Sequence, residues 1–217
     1  MNVEDLLDML ENYNELPDDF NDWGMVINNE TISHVAARYL VLPSTFDQWD
    51  IRDKNGWSVA HVTASYDSDR TQYGLPWDLR GPNGITVAHV AARNNHISLF
   101  YNDPQVLSLG DNNSLTVAHV LAGSNNLDSL STYSKRNLRE IFYYKTLDKG
   151  LSVSHLLALN EEVPYDNKIL AITDKSGITV AEIAAMSNTL PKGFKEWDIC
   201  NKNNMTLKEI RKQWNPS

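Results

Sequence analysis

Seven times along the chain a hydroxyl residue stands three positions before a histidine or glutamate, in the same setting of small and apolar residues. The copies are centred on His34, His61, His89, His119, His155, Glu182 and Glu209, at spacings of 27, 28, 30, 36, 27 and 27 residues. The hydroxyl column reads Thr31, Ser58, Thr86, Thr116, Ser152, Thr179 and Thr206, and alanine follows the centre by three in Ala37, Ala64, Ala92, Ala122, Ala158 and Ala185. Five before the centre stand Gly56, Gly84, Gly150 or Gly177, with Asn29, Ser114 and Asn204 in the other copies. A period of about 20–50 residues restricts a chain to solenoids and related arrays, because one such unit cannot bury its apolar face alone.

The local chemistry of the motif is that of a helix start. A Ser or Thr hydroxyl accepts from a free amide of the first turn, and a Glu at the third helical position reaches back to the cap. Thr179-Val180-Ala181-Glu182 and Thr206-Leu207-Lys208-Glu209 fit this capping box, and the histidines occupy the place of those glutamates. The helix that follows, as in Val87-Ala88-His89-Val90-Ala91-Ala92, is apolar on nearly every face and must be covered on several sides. Upstream lies a second module, Leu16-Pro17 with Phe20 and Trp23, Leu42-Pro43 with Phe46 and Trp49, Leu190-Pro191 with Phe194 and Trp197. Proline suits a first helical turn, so this module predicts a short second helix with Phe and Trp on one face. Asp53-Lys54-Asn55-Gly56 then carries turn chemistry, which is favoured over a calcium loop because no consistent acidic ligand follows it.

Thr86-Val87-Ala88-His89-Val90-Ala91-Ala92 and Ser58-Val59-Ala60-His61-Val62-Thr63-Ala64 resemble the Thr-Pro-Leu-His-x-Ala-Ala motif of ankyrin repeats, over about residues 16–214. Val stands where that family has Pro, and most units are about six residues shorter than the usual repeat of about 33. The compact Val-Ala-His form is also similar to repeats in bacterial and bacteriophage proteins. The resemblance implies an all-α fold, an α-solenoid of about six to seven short ankyrin-like helix-turn-helix repeats with terminal caps. A single domain over 1–217 is expected, with an acidic capping helix at 1–15, repeats over 16–196 and a C-terminal capping unit at 197–217. The 36-residue interval places an insertion near 124–145, where the spacing of Leu138, Ile141 and Phe142 predicts a longer second helix.

Charge is unevenly placed. Of the 28 acidic residues nine lie in residues 1–30, where there is no Lys or Arg, which leaves 19 against the chain's 19 bases. No basic stripe of the kind that nucleic acids require is present, so direct nucleic-acid binding is not expected. No run is long enough to span a bilayer and no signal peptide is visible, so no membrane association is expected. Cys200 has no partner cysteine, which points to a reducing, cytoplasmic setting (the host cytoplasm, if the chain is phage- or pathogen-encoded), and it reads as a buried apolar residue.

No nucleophile elbow, phosphate loop or dinucleotide fingerprint occurs, so no catalytic residue, metal site or cofactor is assigned and the chain is read as non-enzymatic. The repeat histidines are too regular to converge on one ion and are read as structural caps, with Thr31, His34, Ser58, His61, Thr86, His89, Thr116, His119, Ser152, His155, Thr179, Glu182, Thr206 and Glu209 forming that set. Function is expected where the repeat is interrupted. Candidate partner-binding residues are Tyr66, Arg70, Tyr73, Arg93, Asn94, His96 and Tyr101 after the repeat helices. In the insertion they are Tyr133, Lys135, Arg136, Arg139, Tyr143 and Tyr144, and Asp18, Asp19 and Asp22 form an acidic surface. The expected function is protein–protein interaction, as an effector or inhibitor of a host protein. The alternative is an acidic decoy that inhibits a nucleic-acid-binding enzyme such as a defence nuclease.

Overall fold

The computed structural model describes residues 3–17, 19–27, 29–67, 75–96, 103–124, 140–160, 163, 165–191 and 193–215. The chain divides into two compact units, residues 1–100 and 101–217. Each is built from the motif helices, because a helix made of Val, Ala and Leu on all sides is stable only with a like neighbour against it.

In the first unit, α1 (Val3–Asp8) runs on into a wider turn over Met9–Tyr13. α2 (Ile32–Arg38) packs on α3 (Val59–Tyr66), and α3 on α4 (Val87–Arg93). Leu6 and Leu10 are buried in one core with Trp23, Ile27, Ile32, Val35 and Phe46. In the second unit, α5 (Pro104–Ser108) packs on α6 (Val117–Gly123), and α7 (Val153–Asn160) packs on α6. α8 (Asn167–Leu170) precedes α9 (Val180–Ser187), which lies between α7 and α10 (Leu207–Trp214). In α10 only Leu207 and Ile210 are buried, while Lys208, Arg211 and Lys212 face outward.

Every motif helix is reached through a narrow hairpin. Among the described residues the fold is therefore helical with one two-stranded antiparallel pair, β1 (Val26–Ile27) with β2 (Glu30–Thr31), and the other six copies make a single bridge, such as Arg52 with Ser58. The position five before the motif centre lies in the left-handed region in all seven copies, with φ of 68° at Asn29, 84° at Gly56, 59° at Ser114 and 61° at Asn204. That requirement explains a column confined to Gly, Asn and one Ser. In four hairpins an Asp or Asn side chain holds the turn; the Asp53 carboxylate accepts from the amides of Asn55 at 2.9 Å and Trp57 at 2.8 Å. Asp111, Asp174 and Asn201 repeat the pattern, so these side chains are engaged in turn formation rather than cation binding.

The Pro-Phe-Trp modules differ from the short helices expected of them. They are successive turns, with the Phe20, Phe46 and Phe194 amides bonded three residues back to the carbonyls of Pro17, Pro43 and Pro191. Helices do form where an aspartate precedes the element: Asp103 caps α5 and Asp166 caps α8. Leu16, Leu42 and Leu190, which precede Pro17, Pro43 and Pro191, offer no side-chain acceptor to a first helical turn. Phe and Trp do share a face. Phe20, Trp23, Phe46 and Trp49 form a ladder of edge-to-face contacts with centroids 5.0, 5.2 and 4.9 Å apart, a favoured aromatic geometry.

Cys200 is exposed rather than buried. It lies in the hairpin of the last copy, next to Ile199, which is 53% exposed, whereas the equivalent Ile172 is 8% exposed. The longer helix expected near 124–145 lies largely outside the described residues; within them Ile141–Tyr143 forms a single 3-10 turn.

Candidate partner-binding surface

The polar residues of the motif are bound into the scaffold at both ends of each helix. In α3 the first amide, of Val59, donates to the Ile51 carbonyl and the second, of Ala60, to the Trp49 carbonyl. The third, of His61, reaches the Ser58 hydroxyl. α4 repeats the arrangement with Leu79, Trp77 and Thr86, so the amides that a helix start otherwise exposes to an anion are taken up locally.

The imidazole completes the cap and extends beyond it. In Thr86, Thr116 and Ser152 the backbone amide donates to Nδ1 of His89, His119 and His155 at 3.2, 3.1 and 3.1 Å. Nδ1 is therefore an acceptor, the proton resides on Nε2, and these rings are neutral. Nε2 in turn lies 3.2 Å from the Leu151 carbonyl for His119 and 3.2 Å from the Ile178 carbonyl for His155. His34 and His61 reach the carbonyls of Trp57 and Ile85 in the same way, at 3.0 and 3.1 Å. In each case the carbonyl lies four residues before the next motif centre, so the histidine caps its own helix and ties it to the following copy. Glu182 and Glu209 reproduce the cap, with Oε2 accepting from the amide and hydroxyl of Thr179 and of Thr206. An ionised carboxylate has no proton to donate onward. Burial holds His61 and His155 below the usual imidazole pKa, opposed by the bond to the Ile85 or Ile178 carbonyl.

Thr31 departs from the set. It makes no side-chain bond to a helix amide; its hydroxyl is shared between His34 Nδ1 at 2.5 Å and Ser33 Oγ at 2.9 Å. Ser33, where most copies have alanine, competes for the hydroxyl.

Helix C-termini carry a second set of ties. The carbonyl of the motif alanine accepts from a side chain of the following copy: Ala64 from His96, Ala122 from Asn160, Ala158 from Thr189 and Ala185 from Asn215. His96, the one histidine out of phase, is thereby half-buried with Nδ1 3.0 Å from the Ala64 carbonyl.

What remains exposed among the candidates is narrower. Tyr66 is 56% exposed at the end of α3, and Arg93 and Asn94 are exposed at the end of α4, where Asn94 also bonds the Val90 carbonyl. Tyr143 is 39% exposed and Tyr144 half-buried. Asp19 and Asp22 are exposed. Arg70, Tyr73, Tyr101, Tyr133, Lys135, Arg136, Arg139 and Asp18 lie outside the described residues. Beside the α3 end, Arg38 makes a forked ion pair with Glu30, whose carboxyl it holds below its usual range. Among the described residues no group of three metal-ligating side chains converges, and no helix is long and apolar enough to cross a membrane.

One exposed residue has no counterpart in the sequence reading. Leu40, six after His34, is 55% exposed with φ of 63°, in the place where Asn95 and Asn188 stand with φ of 62° and 59°. Asn is the usual non-glycine residue at a left-handed helix end and leucine is not. The contrast within that column was the available signal.

The crystal structure of the ankyrin repeat domain of Bcl-3, described as a unique member of the IkappaB protein family, superposes with a TM-score of 0.57, covering 85% of this chain and 95% of that one. The fold is that of ankyrin repeats. Sequence identity in the superposition is 16%, so the likeness extends to the fold alone. No protein-family model matches the sequence, and no curated protein matches it.

Proposed function

We propose that the chain is a non-enzymatic protein–protein interaction module. The observation that carries this reading is the fate of the motif polar groups. Both ring nitrogens of His34, His61, His119 and His155 are engaged within the scaffold, which leaves them no lone pair or proton for a ligand or a reaction. Exposed Tyr66 and Arg93 belong instead to the residue types that dominate protein contacts. Within this class we favour an effector or inhibitor directed at a host protein, acting in the cytoplasm, in keeping with the resemblance of the compact repeat to bacterial and bacteriophage forms. Affinity capture with the tagged full chain should recover one stoichiometric protein, and Tyr66→Ala with Arg93→Ala should weaken its capture. Failure to recover any stoichiometric protein counts against the reading.

The one-sided charge of residues 1–30 favours a second reading, an acidic decoy that occupies the basic channel of a nucleic-acid-binding enzyme. Neutralising Asp18, Asp19 and Asp22 to Asn should then abolish inhibition of a captured nuclease. Unchanged inhibition sinks it.

A further inference from the structure

The first unit contains an open groove of about 600 Å³ between the Asn14–Trp23 stretch and Leu40–Pro43. Leu16, Phe20, Trp23, Leu40 and Leu42 line it, and Glu15 stands at its edge. Phe20 and Trp23 in its floor belong to the edge-to-face ladder that continues through Phe46 to Trp49. Side chains already packed in this way lower the ordering cost of binding. At its rim Leu40 is held out into solvent by a left-handed backbone that leucine disfavours, although Asn serves the same helix end at Asn95 and Asn188. Backbone strain of this kind persists where another requirement outweighs it.

The charge around the groove identifies what fits. No Lys or Arg occurs before Arg38, and Arg38 is itself paired with Glu30. Glu15 lines the groove, and exposed Asp19 and Asp22 flank the lining residues Phe20 and Trp23 in sequence. In the second unit Asn188 stands in the column of Leu40, and the pocket beside it is lined by Leu190, Phe194 and Trp197 with a basic residue, Arg211, over the Trp197 ring at 5.1 Å.

We propose that the groove at Leu40 docks an extended basic segment of a protein partner, with one aliphatic or aromatic side chain seated against Leu40 and Phe20 and flanking Lys or Arg side chains facing Glu15, Asp19 and Asp22. This rests on the reading of the chain as a protein-interaction module. The apolar anchor supplies affinity and the acidic rim supplies orientation and rate, the usual division at such contacts. Nucleic acid is disfavoured by the sign of the charge.

The test uses the full chain and a library of random 12-residue peptides displayed on phage, selected on the wild type and counter-selected on Leu40→Asn. Asn suits the left-handed backbone, so this variant keeps the fold, as its melting curve should show. Recovered peptides should carry Lys or Arg on both sides of a Leu, Phe or Trp. Synthesised with a fluorophore, they should bind wild type at least about tenfold tighter than Leu40→Asn or Glu15→Lys, with affinity falling as salt rises. Replacing the anchor by Ala should cost a similar factor. The proposal is overturned if no peptide is recovered, if recovered peptides lack basic residues, or if both variants bind as wild type does. It is also overturned if sedimentation shows a dimer that Leu40→Asn dissolves, which would make a second copy the occupant. A stoichiometric protein captured equally by wild type and Leu40→Asn refutes the groove while leaving the interaction reading intact. A chain that recovers neither peptide nor protein loses both.

Discussion

Replacing His155 by Ala should destabilise the second unit far more than replacing Glu182 by Ala, although the two residues occupy the same place in successive copies. His155 is fully buried. Its Nδ1 accepts from the Ser152 amide at 3.1 Å and lies 2.6 Å from the Ser152 hydroxyl, and its Nε2 lies 3.2 Å from the Ile178 carbonyl. Truncation leaves the Ser152 amide and hydroxyl without their acceptor and removes one donor from the Ile178 carbonyl. A buried polar group left unsatisfied costs about 1–3 kcal/mol, and the space left by the ring adds a cavity term, so the loss should reach about 3–5 kcal/mol. At Glu182, also buried, the bonds from the Thr179 amide at 2.7 Å and hydroxyl at 2.9 Å are lost, but among the described residues no onward bond to a following carbonyl goes with them. That cap is worth about 1–2 kcal/mol. Urea unfolding followed by far-UV circular dichroism and by tryptophan fluorescence gives both values, with Trp197 in the same unit as a reporter. Equal losses for the two variants, or a loss below about 1 kcal/mol for His155→Ala, would refute the claim that the histidine ties one copy to the next.

Acid should weaken the fold in a defined window. His61 and His155 have pKa values lowered from 6.5 by burial, so the unfolded chain takes up protons first. Their contribution is complete above pH 6.5 and is lost as pH falls from there toward the lower folded-state values; urea midpoints that rise between pH 7 and pH 6 contradict this. Thr63→Ala should stabilise by about 1 kcal/mol, since the buried Thr63 hydroxyl has no partner among the described residues and copies elsewhere carry Ala36, Ala91 and Ala184; a loss in thermal unfolding overturns that. Gly177→Ala should cost about 1 kcal/mol through its φ of 80° alone, because an added Cβ meets nothing nearer than Lys202 Cδ at 3.8 Å. Ser114→Gly at φ 59° should be neutral or stabilising, and the opposite ranking of these two variants would remove the backbone account of the column.

The helices and their caps were legible because one hydroxyl, one histidine and a fixed separation suffice to specify them. The turn at the column five before the centre was legible from its Gly and Asn residues; the left-handed backbone at Ser114 was not. The Pro-Phe-Trp modules read as helices because their spacing is helical; the Phe20, Phe46 and Phe194 amides instead close turns on the carbonyls of Pro17, Pro43 and Pro191. The C-terminal ties were not legible. His96, Asn160, Thr189 and Asn215 are four side chains at several offsets that deliver the same donor to an alanine carbonyl, and only the packing of copies brings them there. Of the candidate surface, Tyr66, Arg93, Asp19 and Asp22 are exposed. Leu40 was missed: it stands in the column of Asn95 and Asn188, and the backbone angle there supplies its significance.

Nitrogen-15 NMR of the histidine rings tests the scaffold directly. For His34, His61, His119 and His155 the account predicts an unprotonated Nδ1 and a slowly exchanging Nε2 proton at pH 7, coupled across the hydrogen bond to the carbonyl of the next copy. Protonated Nδ1 signals, or rapidly exchanging Nε2 protons, would contradict it.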